Sequence, residues 1–409
     1  MKKLWIINQY AATPDTAGIT RHYELAKRLK KYGWETTIVR GSFDLYLKKG
    51  NRRQENRNSV VQQEFDGVSF LTIPTPTYKD NKSAGRIWNM VVFGKRAYST
   101  LGSLKTGRPD IVMGSTMTLF GADAARKIAR FFEVPFIYEV RDLWPLTPIE
   151  IGGYSKWHPF IMYLDYLDRK LARSADLIVT ITRLMKDYYI ERMKLSDEKF
   201  LWLTNGTDTT LFSEVKSTPK EPSSFKLYYT GSLGLANGID AVFNQLKAIK
   251  LKYPKFKLVL VGDGPYRNLL QSRSETENLP VVFIEPVLKE KLPEIIADAD
   301  AFLFYLLPSP LYRYGIGANK LADYHAAGKP ILFVGDCAEN PVHQSGAGVV
   351  AQTIDEFPEA LGSLIDLPLH EKEAMGEKGR EYALEQYDWA RLSEKLKVSL
   401  SILLNKLSK

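Results

Sequence analysis

The residues with the clearest chemical potential lie in the stretch 312–330, which follows an apolar run at 301–307. Gly315 and Gly317 let the backbone approach a ligand closely, and a helix is predicted to begin at Asn319 directly after them. A glycine-rich loop that leads into a helix start presents unpaired N–H groups and the positive end of the helix dipole. The spacing therefore predicts a site for an anion.

Charged side chains in the same stretch refine the expected ligand. Arg313 and Lys320 carry positive charge, and Asp323 places a carboxylate one turn beyond the helix start. Cations suit phosphate groups and a carboxylate suits ribose hydroxyls, so the combination favours a nucleoside diphosphate. The alternative is an ordinary strand, loop and helix of an α/β protein, with Lys320 solvated at the surface.

Length and composition limit the class of protein. A chain of 409 residues exceeds the usual size of a single core, which predicts two domains. The net charge of +9, from 56 Lys and Arg against 47 Asp and Glu, favours an anionic partner. The single cysteine, Cys337, fits a reducing compartment and an inert structural thiol, and the five histidines show no metal-ligand spacing. Neither a signal peptide nor an apolar run of ~20 residues that could span a bilayer is found in the sequence.

Strand and helix patterns alternate along the chain, as in repeated βαβ units. They predict an α/β protein with one doubly wound domain at 1–210, a polar linker at 211–224 and a second doubly wound domain at 225–387. A last helix at 388–409 is expected to pack back on the first domain. Ligands of such sheets bind beyond the carboxyl ends of the strands, so we expect the two Rossmann-like domains to face a central cleft.

Six short motifs relate these domains to a known family. In chain order they are NQY at 8–10, EVRDLWP at 139–145, NGTD at 205–208, YTGSLGLANG at 229–238, VGDGP at 261–265 and NKLADYHAAGKP at 319–330. With these motifs the chain resembles a retaining family 4 glycosyltransferase of the GT-B type over essentially its full length. Within that family it is similar to bacterial enzymes that add sugars such as N-acetyl-fucosamine to lipid-linked precursors of surface polysaccharide (O-antigen or capsule). The resemblance implies a GT-B fold and a nucleoside-diphosphate sugar donor, with UDP as the expected nucleotide.

The resemblance and the loop pattern also indicate where the donor binds. The expected donor-binding residues are Gly18, Gly234, Leu235, Gly264, Val287, Arg313, Asn319, Lys320 and Asp323. The family's phosphate-binding arginine and lysine fall on Ser232 and Asn237 here, so Arg313 and Lys320 are expected to replace them. The first of the family's two glutamates falls on Gly315, which leaves the contact to the donor sugar unassigned.

Catalysis is expected at Asp142 and Arg141, at the mouth of the first domain. The resemblance implies transfer with retention, without a metal or a cofactor, so the main task is to stabilise negative charge on the leaving phosphate. Arg141 falls where relatives often carry a histidine that faces the donor sugar, and Asp142 is the candidate to accept the proton of the acceptor hydroxyl. The alternative is that Arg141 pairs with Asp142 or Glu139 and that the residues only shape the loop.

The acceptor is expected at an anionic membrane surface. Segment 82–105 combines apolar and basic side chains, and its expected acceptor and membrane residues are Arg86, Trp88, Phe93, Lys95 and Arg96. The family's acceptors are polyprenyl-diphosphate-linked saccharides, which implies a cytoplasmic protein bound peripherally to the inner face of the cell membrane. Segment 157–173 has a similar character, and for both segments an amphipathic core helix is the alternative.

Three other functions stay open at the level of the sequence. A nucleotide-sugar epimerase shares the double-Rossmann architecture but needs no acceptor. A non-catalytic scaffold is compatible with Gly315 in place of a glutamate. A nucleic-acid-binding protein would account for the charge, but the sequence contains no helix-turn-helix, zinc-finger or aromatic RNA-binding motif, so no nucleic-acid partner is expected.

Overall fold

The computed structural model describes residues 1–16, 18, 20–43, 59–79, 83–103, 107–116, 118–213, 224–234 and 237–407. The described chain forms two compact units. Unit 1 comprises Met1–Thr204 together with Trp389–Lys409, and unit 2 comprises Asn205–Asp388. Most of the predicted linker 211–224, and Leu235 among the expected donor residues, lie outside the described residues.

Unit 1 is built on an eight-stranded sheet with the strand order β3-β4-β2-β1-β5-β6-β7-β8. Its strands are β1 (Lys2–Ile7), β2 (Trp34–Gly41), β3 (Val61–Phe65), β4 (Val68–Ile73), β5 (Ile111–Ser115), β6 (Phe136–Val140), β7 (Leu177–Thr180) and β8 (Phe200–Trp202). All neighbours are parallel except β3 and β4, which form a hairpin. Asp66 and Gly67 both have positive φ at its turn, the geometry that matches the twist of two paired strands.

Helices cover both faces of this sheet. They are α1 (Arg21–Leu29), α2 (Ala84–Ser103), α3 (Leu119–Phe132), α4 (Leu146–Glu150), α5 (Pro159–Ser174) and α6 (Met185–Met193). The helix α5 begins where the His158 side chain accepts a hydrogen bond from the Phe160 N–H and Pro159 occupies the first turn. The helix α3 ends at Glu133 in the left-handed conformation.

Unit 2 contains a six-stranded, fully parallel sheet with the order β11-β10-β9-β12-β13-β14. Its strands are β9 (Phe225–Thr230), β10 (Phe256–Val261), β11 (Val281–Ile284), β12 (Ala301–Tyr305), β13 (Ile331–Val334) and β14 (Gly348–Ala351). Its helices are α7 (Ile239–Phe243), α8 (Leu246–Lys252), α9 (Arg267–Thr276), α10 (Leu292–Ile295), α11 (Asn319–Ala327), α12 (Pro341–Ser345), α13 (Phe357–Asp366) and α14 (Leu369–Gln386).

The last helix, α15 (Trp389–Leu407), belongs to unit 1 although it follows unit 2 in the chain. Trp389, Leu392, Leu396 and Leu400 repeat every three or four residues and are buried in the core of unit 1. This apolar stripe packs against α1 and explains why the helix joins the first unit.

Strand order determines where each unit can bind a ligand. Numbered along the chain, the strands of unit 2 follow the order 3-2-1-4-5-6, and the central strands of unit 1 follow the same pattern around β1. In such sheets the crevice lies beyond the carboxyl ends of the strands, where the order reverses. The reversal falls between β9 and β12 in unit 2 and between β1 and β5 in unit 1.

Candidate functional site

Lys320 reaches back from the start of α11 to the loop that follows β9. Its Nζ donates a hydrogen bond to the Tyr229 hydroxyl at 2.8 Å and lies 3.9 Å from the centroid of the Tyr229 ring. The Tyr229 hydroxyl in turn donates to the Ser232 carbonyl at 2.9 Å. A methyl group added at Gly231 would lie 3.3 Å from the Lys320 Nζ. The lysine is therefore fixed against the loop 231–234.

Lys320 has no negatively charged neighbour among the described residues. Burial lowers its pKa to about 7, and no carboxylate of the described residues lies close enough to form an ion pair with it. Burial raises the pKa of Tyr229, so the hydroxyl beside the ammonium is neutral. A desolvated cation with only neutral neighbours favours an incoming anion.

The backbone around Lys320 adds a second attraction for an anion. The helix α11 begins after Ala318, and no side chain caps its first N–H groups. The side-chain amide of Asn205 donates to the Gly317 carbonyl at 2.6 Å and fixes the loop that leads into the helix. Asn319 is exposed at the first helical position. The helix start thus presents N–H groups beside a lysine, as the sequence predicts for a phosphate site.

Gly264 supports the loop after β9 through close packing. A Cβ at Gly264 would lie 2.5 Å from the Leu233 carbonyl oxygen, so a larger residue would displace the loop. The Leu233 N–H donates to the Asp263 carbonyl at 2.9 Å, and the Leu233 carbonyl accepts from the Tyr266 N–H at 2.9 Å. A Cβ at Gly234, by contrast, would lie 3.6 Å from the Ser232 Oγ, which is ordinary contact. Gly264 therefore holds in place the loop that carries Gly234.

Asp323 and Val287 are brought together by a lysine that the sequence did not single out. The Lys289 ammonium forms an ion pair with the buried Asp323 carboxylate. Lys289 lies in the loop after β11, two residues beyond Val287, which packs against the core of unit 2. The ion pair links the expected ribose ligand to the loop expected to contact the base. A lysine in a polar loop gives no sequence signal for such a partner.

Arg267 joins the same loop to the turn after β10. It occupies the position where a dinucleotide-binding motif would carry its third glycine. Its guanidinium donates to the Ile284 carbonyl at 3.2 Å and pairs with Glu285 at 2.7 Å. It also donates to the Gly262 carbonyl. Arg267 is thus a buried brace behind the site.

Arg313 is not placed with the other expected phosphate ligands. Its side chain is exposed, and its guanidinium lies over the Tyr314 ring at 4.9 Å from the centroid. Within the described residues the structure gives it no contact with Lys320 or Asp323. Gly315, which follows Tyr314, has φ of 80°, a backbone conformation that favours glycine. Lys320 thus lies at the helix start where the anion is expected, and Arg313 does not.

In unit 1 a buried polar cluster lies behind the ends of β1 and β6. Glu139 accepts from the Arg21 Nε at 2.9 Å and pairs with the His22 Nε2 at 2.6 Å. The Asn8 side-chain amide lies 3.1 Å from the His22 Nδ1, and Arg21 also donates to the Leu203 carbonyl at 2.7 Å. The neighbouring cations hold the pKa of Glu139 well below its usual range, whereas burial lowers the pKa of His22. The sequence motifs contain Asn8 and Glu139 but give no signal for this pairing.

Arg141 and Asp142 follow β6 directly. The Thr116 hydroxyl accepts from the backbone N–H of both residues, at 2.7 and 3.3 Å. Among the described side chains Arg141 forms no ion pair with Asp142 or Glu139, although burial lowers its pKa and the charge of both carboxylates opposes that shift. Burial raises the pKa of Asp142, whose carboxylate has no hydrogen-bond partner in the described part of the chain. A desolvated carboxylate of this kind is suited to accept a proton.

Two protein families match the two units. Residues 17–206 match the family described as a glycosyl transferase 4-like domain, and residues 224–366 match the family described as glycosyl transferases group 1. Each unit therefore matches a glycosyltransferase domain family. This confirms the predicted fold class and the coarse family assignment, and the finer assignment to N-acetyl-fucosamine transfer stays a prediction.

Curated relatives of these glycosyltransferase domains are distant. The sulfoquinovosyl transferase SQD2 of Arabidopsis thaliana is 23% identical over 358 residues, which is 82% of this chain and 64% of the relative. A GDP-mannose-dependent phosphatidylinositol monomannoside mannosyltransferase of Mycolicibacterium smegmatis is 29% identical over 39% of this chain and 44% of its own length. The putative colanic acid biosynthesis glycosyl transferase WcaI of Escherichia coli is 19% identical over 76% of this chain and 80% of its own length. The chain thus spans less than two thirds of the first two relatives.

Solved structures share the fold over nearly the whole chain. Sucrose-phosphate synthase from Thermosynechococcus elongatus superposes with a TM-score of 0.76 at 14% identity, covering 99% of this chain and 100% of that one. An E. coli trehalose-6-phosphate protein bound with UDP-2-fluoro glucose has a TM-score of 0.72 at 13% identity, covering 98% of this chain and 99% of that one. The Anabaena protein HepE in complex with UDP and glucose has a TM-score of 0.64 at 15% identity, covering 98% and 99%.

The remaining expected residues of the first glycosyltransferase domain lie in the loop before α1 and on α2. Gly18 has φ of 154°, and a Cβ there would lie 2.8 Å from the Ala12 Cβ, so close packing requires glycine. Four of the five expected residues on α2 are wholly or partly accessible: Arg86, Trp88, Lys95 and Arg96. Trp88 is 56% exposed, and Arg96 donates to the Pro74 carbonyl at 2.8 Å.

Phe93 corrects the expected membrane face. Its side chain is fully buried, and a Cβ at Gly121 of α3 would lie 3.0 Å from its ring. The close approach of α2 to α3 covers this position, so Phe93 belongs to the core and cannot contact a membrane. No helix among the described residues is long and apolar enough to cross a membrane.

Proposed function

We propose that this chain transfers a sugar, with retention, from a UDP-sugar to a hydroxyl group of a lipid-linked saccharide. The observation that carries the proposal is Lys320, a partly buried cation with no carboxylate partner in the described residues, fixed at the start of α11 beside the loop 231–234. A diphosphate is the ligand that this arrangement would complete, because it matches both the ammonium and the helix N–H groups. The shared fold with structures that contain UDP supports the choice of nucleotide.

The donor-binding roles follow from the contacts of unit 2. Lys320 and the first turn of α11 would bind the phosphates, and the loop with Gly234 would approach the distal one. Asp323, held by Lys289, would accept hydrogen bonds from the ribose hydroxyls. Val287 would lie against the base. These roles need neither a metal nor a cofactor.

The reaction requires charge stabilisation on the leaving diphosphate and removal of the acceptor proton. Lys320 would meet the charge that develops as the glycosidic bond breaks. Asp142 would accept the proton from the acceptor hydroxyl, since burial raises its pKa and no described group hydrogen bonds to its carboxylate. The proton could alternatively pass to the leaving phosphate, in which case Asp142 would only orient the hydroxyl.

The proposed acceptor places the chain at the cytoplasmic face of an anionic membrane. Apolar side chains project from α5 and the segment before it, with Trp157 72% exposed and Met162 and Tyr166 also exposed. The Lys156 and Lys170 ammonium groups lie over the Trp157 and Tyr166 rings, at 5.2 and 5.6 Å. Aromatic side chains with basic neighbours suit a headgroup region.

A nucleotide screen tests the donor part of the proposal. A ligand at roughly 100 times its Kd adds about 2.7 kcal/mol to the free energy of unfolding. UDP, as the proposed nucleotide, should therefore raise the unfolding temperature of the full chain more than GDP does. Absence of stabilisation by any nucleoside diphosphate would instead support a non-catalytic scaffold. Release of a sugar from the nucleotide without any acceptor would support an epimerase.

Liposome binding tests the membrane part. The chain should co-sediment with anionic vesicles at low salt, and a variant with Trp157→Ala and Tyr166→Ala should bind them less. The control is Leu251→Ala, which removes an apolar side chain of unit 2 that is even more exposed, at 86%. Equal loss in both variants, or no binding by the wild type, would contradict the assignment.

A further inference from the structure

Arg141 is a buried cation at a ligand-binding edge of the sheet. It is the first residue after β6, and its backbone N–H is fixed by the Thr116 hydroxyl at the end of β5. This is the edge of unit 1 where open α/β sheets bind ligands. The residue is only 7% exposed, so its guanidinium has lost most of its hydration.

The charges around Arg141 are already used by other groups. Glu139 is paired with Arg21 and His22, and the carboxylate of Asp142 forms no ion pair with Arg141. The Nε of Arg141 is buried and has no hydrogen-bond partner in the described chain. Burial lowers the pKa of Arg141, the charge of Glu139 opposes that shift, and the charge of Arg21 adds to it.

Such an arrangement is unfavourable unless something binds there. A buried ion without a partner costs far more than a paired one, and native proteins satisfy nearly all buried polar groups. A guanidinium presents a planar set of donors that matches a carboxylate, a sulfonate or a phosphate.

We propose that Arg141 forms an anion-binding subsite and that one of the two substrates carries a carboxylate, sulfonate or phosphate group that pairs with it. This proposal rests on the proposed function, because it assumes that the chain binds both a sugar donor and an acceptor. The anion could belong to the transferred sugar or to the acceptor, and the two sources share the same chemistry. Arg141 would then select the substrate through charge.

Paired ligands separate the two sources. For the donor, UDP-glucuronic acid and UDP-glucose differ in one carboxylate, and for the acceptor, farnesyl diphosphate and farnesol differ in the diphosphate. Binding of each is measured by calorimetry on the full chain, on Arg141→Gln and Arg141→Lys, and on Arg28→Gln as a control that removes an ion-paired arginine of α1. A diphosphate can also bind at Lys320. The readout is therefore the difference in binding affinity between the wild type and Arg141→Gln.

We expect the wild type to bind one anionic ligand at least tenfold more tightly than its neutral counterpart. That preference should disappear in Arg141→Gln, persist in part in Arg141→Lys and be unchanged in Arg28→Gln. An unchanged preference in Arg141→Gln, or no preference in the wild type, would overturn the proposal. Binding of UDP-glucose itself tests the proposed function, so the two ideas can fail separately.

Unfolding of the empty protein gives a second readout that needs no ligand. If Arg141 has no protein partner, Arg141→Met should leave the unfolding temperature unchanged or raise it, because an uncompensated buried charge is removed. A fall of more than about 4 °C would show that the guanidinium stabilises the fold, and would overturn the subsite.

Discussion

Lys320→Met should weaken UDP binding strongly without harming the fold. The ammonium would lose a hydrogen bond to a charged phosphate, worth about 1.5–3 kcal/mol, so the Kd should rise by roughly 10- to 150-fold. The folded protein should be no less stable, because the lysine is desolvated and has only the Tyr229 hydroxyl as a hydrogen-bond partner in the described residues.

The same lysine makes UDP binding depend on pH in a direction that can be worked out. Burial lowers the pKa of Lys320 to about 7, so the empty site is largely neutral at pH 8. A bound diphosphate favours the charged form and raises that pKa, so binding takes up a proton. Affinity should therefore fall as the pH rises above about 7, by up to about tenfold per pH unit, until the pKa of the complex is reached.

Calorimetry at pH 8 in two buffers with different ionisation enthalpies measures this proton directly. A pKa of about 7 leaves the lysine about 0.9 deprotonated at that pH, so uptake should approach 0.9 protons per UDP. The phosphates are fully ionised there and contribute little, since their last pKa is about 6. Lys320→Met should abolish the proton uptake. Lys257→Met should not, because Lys257 lies near the start of β10 and the candidate site lies beyond the ends of the strands. Uptake near zero in the wild type, or a Kd changed less than about twofold in Lys320→Met, would refute the reasoning.

Three further changes test other parts of the molecule. Asp142→Asn should lower kcat by about 10²- to 10⁴-fold with little change in KM for the donor, as for other general bases, and full turnover in a sugar-transfer assay would remove the residue from this role. Glu139→Gln should lower the free energy of unfolding by about 3–5 kcal/mol in urea titrations, since it leaves Arg21 buried without its partner; a loss below about 1 kcal/mol would contradict the paired geometry. Burial lowers the pKa of His325 to about 4. Between pH 6.5 and 4 the unfolded chain binds a proton at this histidine and the folded chain does not, so the free energy of unfolding falls as the pH drops below 6.5. From pH 7 to pH 5 this should cost about 2 kcal/mol, and His325→Gln should show a correspondingly smaller loss.

The strands of unit 2 could be predicted well because burial on both faces makes them continuous apolar runs. The apolar run at 301–307, for example, contains the strand Ala301–Tyr305. Here the local sequence and the tertiary environment favour the same structure. The GT-B assignment depended on six motifs in order, and not on any one of them.

The candidate site could be predicted only in part. The glycine-rich loop and the helix start located Lys320, since local sequence forms both. The partner of Asp323 could not be predicted, because Lys289 is distant in the chain and a lysine in a polar loop has the same pattern whether it is solvated or paired. The exposure of Phe93 was predicted wrongly, because a sequence pattern does not reveal that Gly121 lets a neighbouring helix cover the ring.

The position of α15 has a consequence for synthesis of the chain. The helix completes unit 1, but the ribosome adds it only after all of Asn205–Asp388. At about 5–20 residues per second, unit 1 waits roughly 10 to 40 s without it. During that time the apolar surface that later covers Trp389, Leu396 and Leu400 faces solvent. A nascent chain in this state is a substrate for chaperones, and on a crowded polysome the same surface can accept the helix of a neighbouring copy, which gives a domain-swapped dimer.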